Sequence, residues 1–149
     1  MKLTTLCFPM LYPHWVLLGW KKRGFGAGKL NGWGGKVHPG ETIREAARRE
    51  VFQECHLEVI TMEFRGVLRF IFDERPEWNS ECHLHIATEF TGIPAETEEM
   101  RPQWFTEYGA PFNSMWESDI LWLPEVLSGK IVFRTFHFNA DQRLITEAT

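Results

Sequence analysis

The sequence predicts an α+β fold in which a mixed β-sheet is packed between helices. Two observations carry that reading. Apolar and aromatic stretches with strand character stand before, between and after only two clear helical segments, which is not the regular strand–helix succession of a parallel sheet. Seven glycines crowd residues 24–40, and the last of them leads straight into one of those helices. The chain has 149 residues, of which 44% are hydrophobic and 24% charged, so it suits a single domain spanning residues 1–149 that buries roughly two-thirds of its unfolded surface.

Taken in order, residues 3–10 and 14–22 read as two strands, rich in apolar and aromatic side chains and parted by a turn around Pro13. After the glycine segment, Thr42 and Glu45 form a T-x-x-E capping box that starts a helix over residues 42–55. In VLRFIF, Leu68, Phe70 and Phe72 fall on one face, and in CHLHIA so do Cys82, Leu84 and Ile86, as in half-buried strands. WESDILWLPEVL reads as the second helix. KIVFRTFHF and DQRLIT close the chain as two strands around a turn at residues 139–141.

Composition excludes several functions. A net charge of −4 and a pI near 5.9 argue against a broad basic surface for long nucleic acids, while leaving room for a small anionic ligand in a local basic pocket. Cys7, Cys55 and Cys82 are odd in number and lack C-x-x-C spacing, so neither a disulfide framework nor a zinc ribbon is indicated, and a reducing, cytoplasmic setting fits. The first residues, MKLTTLCFPMLYPHW, are broken by Pro9 and Pro13 and read as neither a signal peptide nor a membrane helix. The expected state is a monomer.

The helix over residues 42–55 carries the chemical signal. Plotted at 100° per residue, Ile43, Ala46, Ala47 and Val51 define an apolar arc, and Glu50 and Glu54 fall inside it. A buried ionised carboxylate is costly unless paired or bound to a cation, and two of them one turn apart repel each other. Three arrangements satisfy them: ion pairing with Arg44, Arg48 or Arg49, a helix packed only at its edge, or a divalent cation. The preceding glycines at 32, 34, 35 and 40 allow close backbone approach to an anionic or metal-bound ligand. Neither G-x-G-x-x-G nor G-x-x-x-x-G-K-[ST] occurs there, so dinucleotide-fold and P-loop readings fail. His83 and His85 share a strand face but lack a third ligand, and Cys55 on the helix reads as a packing residue.

At these residues the sequence resembles the Nudix superfamily, whose box reads G-x5-E-x7-R-E-U-x-E-E-x-G-U, with U a bulky aliphatic residue. Gly35, Glu41, Arg49, Glu50, Val51, Glu54 and Leu57 match, whereas Gln53 replaces a glutamate and His56 replaces a glycine. A closer resemblance, over nearly the whole chain, is to the animal MutT-homologue enzymes that clear oxidised purine nucleoside triphosphates. It is carried by LLGWKKRGFGAGKLNGWGGKV, the box, EEMRPQWF and SMWESDILWLP.

The resemblance implies an α/β/α sandwich and magnesium-dependent hydrolysis of 8-oxo-dGTP and 2-hydroxy-dATP to the monophosphate and pyrophosphate, with manganese able to replace magnesium. It implies metal ligation by the Gly35 carbonyl, Glu50, Glu54 and Glu99, with Gln53 in a ligand position and Arg49 bracing a box glutamate. Glu50 or Glu99 would orient or deprotonate the attacking water. Lys21 and Lys36 would face phosphate beside Gly34. Asn31, Trp116 and Asp119 would read the base, and Phe25, Phe70 and Phe72 would wall its pocket. Ser118 stands where the closer family usually has another aspartate. Two further readings fit the same residues: a Nudix hydrolase for another modified purine nucleotide, and a nucleotide-binding sensor weakened by Gln53.

Overall fold

A computed structural model describes residues 1–148. The chain runs β1 (Lys2–Leu11), β2 (Trp15–Lys21), β3 (Leu30–Asn31), β4 (Trp33–Lys36), α1 (Ile43–Cys55), β5 (Glu58–Phe72), β6 (Ser80–Thr91), β7 (Met100–Thr106), α2 (Asp119–Leu127), β8 (Val132–Phe138) and β9 (Leu144–Ala148). Strand order is β3-β2-β1-β6-β5-β8-β9, with β4 added to β1 and β7 to β2. The sheet is mixed: β1/β6 and β5/β8 are parallel, and the other pairs are antiparallel.

Strand alternation divides the apolar residues between two cores. Cys82, Leu84 and Ile86 of β6 and Leu68 and Phe72 of β5 join Trp122, Leu123 and Val126 of α2. Cys7, Leu17 and Trp33 join Ala47, Val51 and Cys55 of α1 on the other side. The expected sandwich is therefore present, with one helix on each face. Among the described residues no helix is long and apolar enough to cross a membrane.

The capping box forms in full: the Glu45 N–H donates to Thr42 Oγ1 at 3.1 Å, and the Thr42 N–H donates to Glu45 Oε1 at 2.9 Å. The helix ends at His56, whose φ of 66° lies in the left-handed region. A glycine takes that slot at no steric cost, so the departure from the box at residue 56 places a strained side chain at the C-cap of α1.

Three expectations are modified and one strand is added. The strand read from VLRFIF begins ten residues earlier than Leu68, at Glu58, because register shifts against β6 between Val59 and Gly66 break the alternation there and leave Ile60 and Phe64 exposed. Residues 100–106 form β7 on the outside of β2, which the interruption by Arg101 and Pro102 concealed. The second helix starts only at Asp119, leaving Trp116, Glu117 and Ser118 in the turn before it, and the last strand starts at Leu144 rather than at Asp141.

β5 bends where it passes from one core to the other. The register slips between Phe64 and Gly66, and Gly66 has φ +118°, with room for no side chain: a Cβ there would lie 1.7 Å from the Val132 carbonyl oxygen. Gly66→Ala should therefore lower stability by at least about 2 kcal/mol, read as a fall in the urea midpoint, because neither backbone can yield. An unchanged midpoint would contradict the close β5/β8 junction.

Candidate active site

The site grows from the passage out of β4 into α1. Arg49, on α1, gathers that passage onto the helix. Its Nε and Nη2 donate to the two carboxylate oxygens of Glu41 at 2.6 and 2.9 Å, and Nη2 also donates to the Lys36 carbonyl at 2.9 Å. Nη1 donates to Glu50 Oε1 at 2.8 Å and to Gln53 Oε1 at 3.2 Å. The guanidinium holds the Glu41 carboxyl down at about 2, well below the usual carboxylate range. Glu50 in turn lies against Gly35, where a Cβ would come within 2.7 Å of its carboxylate. Only glycine leaves that space.

The two inward glutamates thus meet different fates. Glu50 is ion-paired with Arg49, one of the pairings open to it from sequence. Glu54 has no salt-bridge partner among the described residues. It accepts a hydrogen bond from the Gly34 N–H at 3.0 Å, and its pKa is pushed up to about 8, first by burial and then by repulsion from Glu50. Glu99 and Lys21 also act on it, with opposite signs. Glu99 sits just before β7, where its carboxylate accepts from Arg23 Nε at 2.8 Å and Nη2 at 2.5 Å.

Gly35, Glu50, Gln53, Glu54 and Glu99 are all oxygen donors of the kind a hard divalent cation prefers. Glu54 supplies the structural test: a buried carboxyl beside a second carboxylate, without a basic partner, is relieved by a cation. The residues fit such a group. Its ligand set is not closed, however, since among the described residues no three His, Cys, Asp or Glu side chains stand grouped for a metal.

A cavity of about 230 Å³ is lined by Glu54 together with Lys21, Asn31, Gly34 and Gly35. A cluster of aromatic rings completes the lining. Phe25 packs at 5.9 Å from Phe72 and 5.3 Å from Trp116, measured between ring centroids. Phe70 also lines the cavity and stacks on Phe136 at 6.3 Å. Asp119 lies among these rings, 5% exposed; its Oδ2 accepts from the Trp116 N–H at 3.2 Å. Burial pushes its carboxyl up to about 7, against the opposing pull of that N–H.

Not every expected residue reaches the cavity. Lys36 is exposed on β4 and does not line it. Ser118 is fully buried behind the wall; its Oγ has no hydrogen-bond partner and does not cap α2. Sequence reasoning missed Trp78, in the turn between β5 and β6, which lines the cavity, packs 5.0 Å from Phe25 and carries the Arg75 guanidinium 4.4 Å above its ring. The available signal was a tryptophan in an otherwise polar turn. Thr97, whose contacts span distant segments, gave no such signal.

The NUDIX domain family matches residues 3–125, and the chain belongs to that family. It is a Nudix hydrolase, and enzymes of this family use divalent metal ions. The oxidized purine nucleoside triphosphate hydrolase of Danio rerio is 46% identical over 144 residues, covering 97% of this chain and 91% of that protein. The protein of the same name from Mus musculus is 43% identical over 137 residues, covering 92% and 87%. Among solved structures, the MutT protein from Bacillus halodurans superposes with a TM-score of 0.88 at 26% identity, covering 99% of this chain and 97% of that one.

The raised Glu54 pKa has a measurable consequence in metal-free protein. The folded carboxyl keeps its proton to about 8, whereas the unfolded one releases it near 4.5, so stability falls as pH rises through that window. Glu54→Gln removes the dependence. With chelator present, the melting temperature of the variant minus that of the native protein should grow from near zero at about pH 5 to a plateau above about pH 8. A difference that stays constant with pH contradicts the buried, repelled carboxylate.

Proposed function

We propose that this chain hydrolyses oxidised purine nucleoside triphosphates, 8-oxo-dGTP and 2-hydroxy-dATP foremost, to the monophosphate and pyrophosphate, with magnesium as its cation. The observation that carries the reading is one cavity lined by two chemically distinct sets of groups: an aromatic cluster with Asp119, and the polar Lys21 and Glu54. The names of the Danio rerio and Mus musculus relatives support the substrate class.

Each set has its task. The rings of Phe25, Phe72 and Trp116 offer faces on which a purine can stack, and Asn31 and Asp119 offer the polar groups that distinguish one base edge from another. Lys21 lies where it can meet phosphate charge. A cation held by Glu50, Glu54 and Glu99, with Gly35 and Gln53 beside them, would neutralise the polyphosphate and position water. Water adds to the β phosphorus, the bond to the oxygen shared with the α phosphorus breaks, and nucleoside monophosphate leaves. Glu50 or Glu99 takes the proton from water, and Arg49 keeps Glu50 in place.

Asp119 makes base choice pH-dependent. With its pKa near 7, it both donates and accepts hydrogen bonds below that point and only accepts above it. Losing such a partner costs discrimination of up to about 10⁴-fold. The decisive experiment is a panel of canonical and oxidised nucleoside triphosphates assayed with magnesium for pyrophosphate release; its absence would instead identify a binding protein. Asp119→Ala should depress kcat/KM for the oxidised purines far more than for dGTP or dATP. Ser118→Asp would bury a second carboxyl next to Asp119 in the chain, raise the Asp119 pKa further, and reorder 8-oxo-dGTP against 2-hydroxy-dATP. Uniform scaling of every substrate by both variants would remove these residues from base reading.

A further inference from the structure

We propose that Thr97 and Arg23 are positioning residues of opposite sense for Glu99, Thr97 presenting it to the cation and Arg23 withholding it. This rests on the reading of Glu50, Glu54 and Glu99 as the cation site. Glu99 comes from a segment far in sequence from α1, so something must fix its distance from Glu54. The Thr97 hydroxyl is that connection: Oγ1 donates to the Glu54 carbonyl at 2.9 Å and accepts the Glu99 and Met100 N–H groups, both at 3.3 Å. One oxygen therefore joins the backbone of the two glutamates. The turn is secured further because the Lys22 N–H donates to the Glu99 carbonyl at 2.8 Å and Lys22 Nζ to the Thr97 carbonyl at 2.8 Å.

The carboxylate itself points elsewhere. Arg23 donates to it through both Nε and Nη2, in an exposed pair in which Arg23 is 59% and Glu99 44% exposed. Glu98 adds to this at 3.5 Å. A guanidinium and a divalent cation compete for the same oxygen lone pairs, so a cation recruiting Glu99 must first displace Arg23. That competition accounts for an acidic site whose backbone is assembled while its carboxylates are not grouped. An exposed pair is the readily exchanged kind.

The two residues touch one carboxylic acid residue yet should move cation affinity in opposite directions, which a merely structural role would not do. The test measures Mn²⁺ binding to the metal-free protein by calorimetry, without nucleotide. Thr97→Val keeps the shape and removes the hydroxyl; it should weaken Mn²⁺ binding about tenfold, as loss of a group that orients a ligand does, and Thr97→Ser should restore it. Arg23→Gln should tighten binding. In a Glu99→Gln background both substitutions should lose their effect, and thermal melts of all variants report folding. Native affinity in Thr97→Val, no tightening in Arg23→Gln, or effects that persist without the Glu99 carboxylate each overturn the proposal. Glu54→Gln separates the two levels of inference. If it abolishes Mn²⁺ binding while the Thr97 and Arg23 variants bind as the native protein does, the cation site stands and the positioning pair falls. If Glu54→Gln binds Mn²⁺ as the native protein does, or native protein binds none, the site and the pair fall together.

Discussion

The Arg49 guanidinium is the contact on which the site depends. Its donors are divided among Glu41, Glu50, Gln53 and the Lys36 carbonyl, so one side chain ties the end of β4, the connecting loop and the middle of α1 together. The planar fork matters here, because it meets both oxygens of Glu41 at once and still has a nitrogen for Glu50. Lysine would supply the charge without that geometry. With the loop held, Gly34 and Gly35 are pressed against Glu54 and Glu50, and the wall of the cavity follows. The capping box performs the preceding step, setting where the helix begins and therefore the phase at which Glu50 and Glu54 turn inward.

Burial acts in the same direction on two carboxyls of the cavity, and their neighbours make the difference. Both Glu54 and Asp119 are pushed toward neutrality by desolvation, to about 8 and about 7. At Glu54 the second cause is repulsion from Glu50, a penalty that binding of positive charge converts into attraction. At Asp119 no acidic neighbour adds to desolvation, and the Trp116 N–H, Trp122 and Lys29 pull the other way, so the group is suited to exchanging a proton rather than holding a cation. Similar pKa values thus serve different chemistry, and the surroundings decide which.

Much of this was legible in sequence because it depends on local spacing. The T-x-x-E box, the glycines at 32, 34, 35 and 40 and the one-turn separation of Glu50 and Glu54 all lie within residues 32–54, and on the helix periodicity alone fixes which side chains share a face. Strand alternation likewise identified Cys82, Leu84 and Ile86 as core. Legibility failed where the informative partner is remote. β7 is a strand because Val16 to Lys21 offer it a partner, not because MRPQWFT alternates. The early part of β5 slips register against β6, which breaks its alternation and leaves Ile60 and Phe64 exposed. Ser118 was matched to a base-reading position by family resemblance alone, whereas α2 begins one residue later and the serine is buried in the interior. Trp78 reaches the cavity only because β5 and β6 place their connecting turn above Phe72.

The same distinction separates the two departures from the box. Gln53 keeps the oxygen that accepts from Arg49 Nη1, so the brace tolerates the missing charge, and what is lost is one negative charge from the field around Glu50 and Glu54. Fewer like charges make the metal-free site easier to hold and weaken its pull on a cation. His56 leaves the charges unchanged but occupies a left-handed position that glycine fills without strain, at the point where α1 gives way to β5. Its N–H still closes the helix on the Phe52 carbonyl at 2.9 Å, and its ring lies 6.0 Å from that of Phe52. One departure therefore acts on electrostatics and the other on backbone strain. Since Glu54 lies between them on the same helix, both bear on a single quantity, the free energy of holding that carboxylate where the cavity needs it.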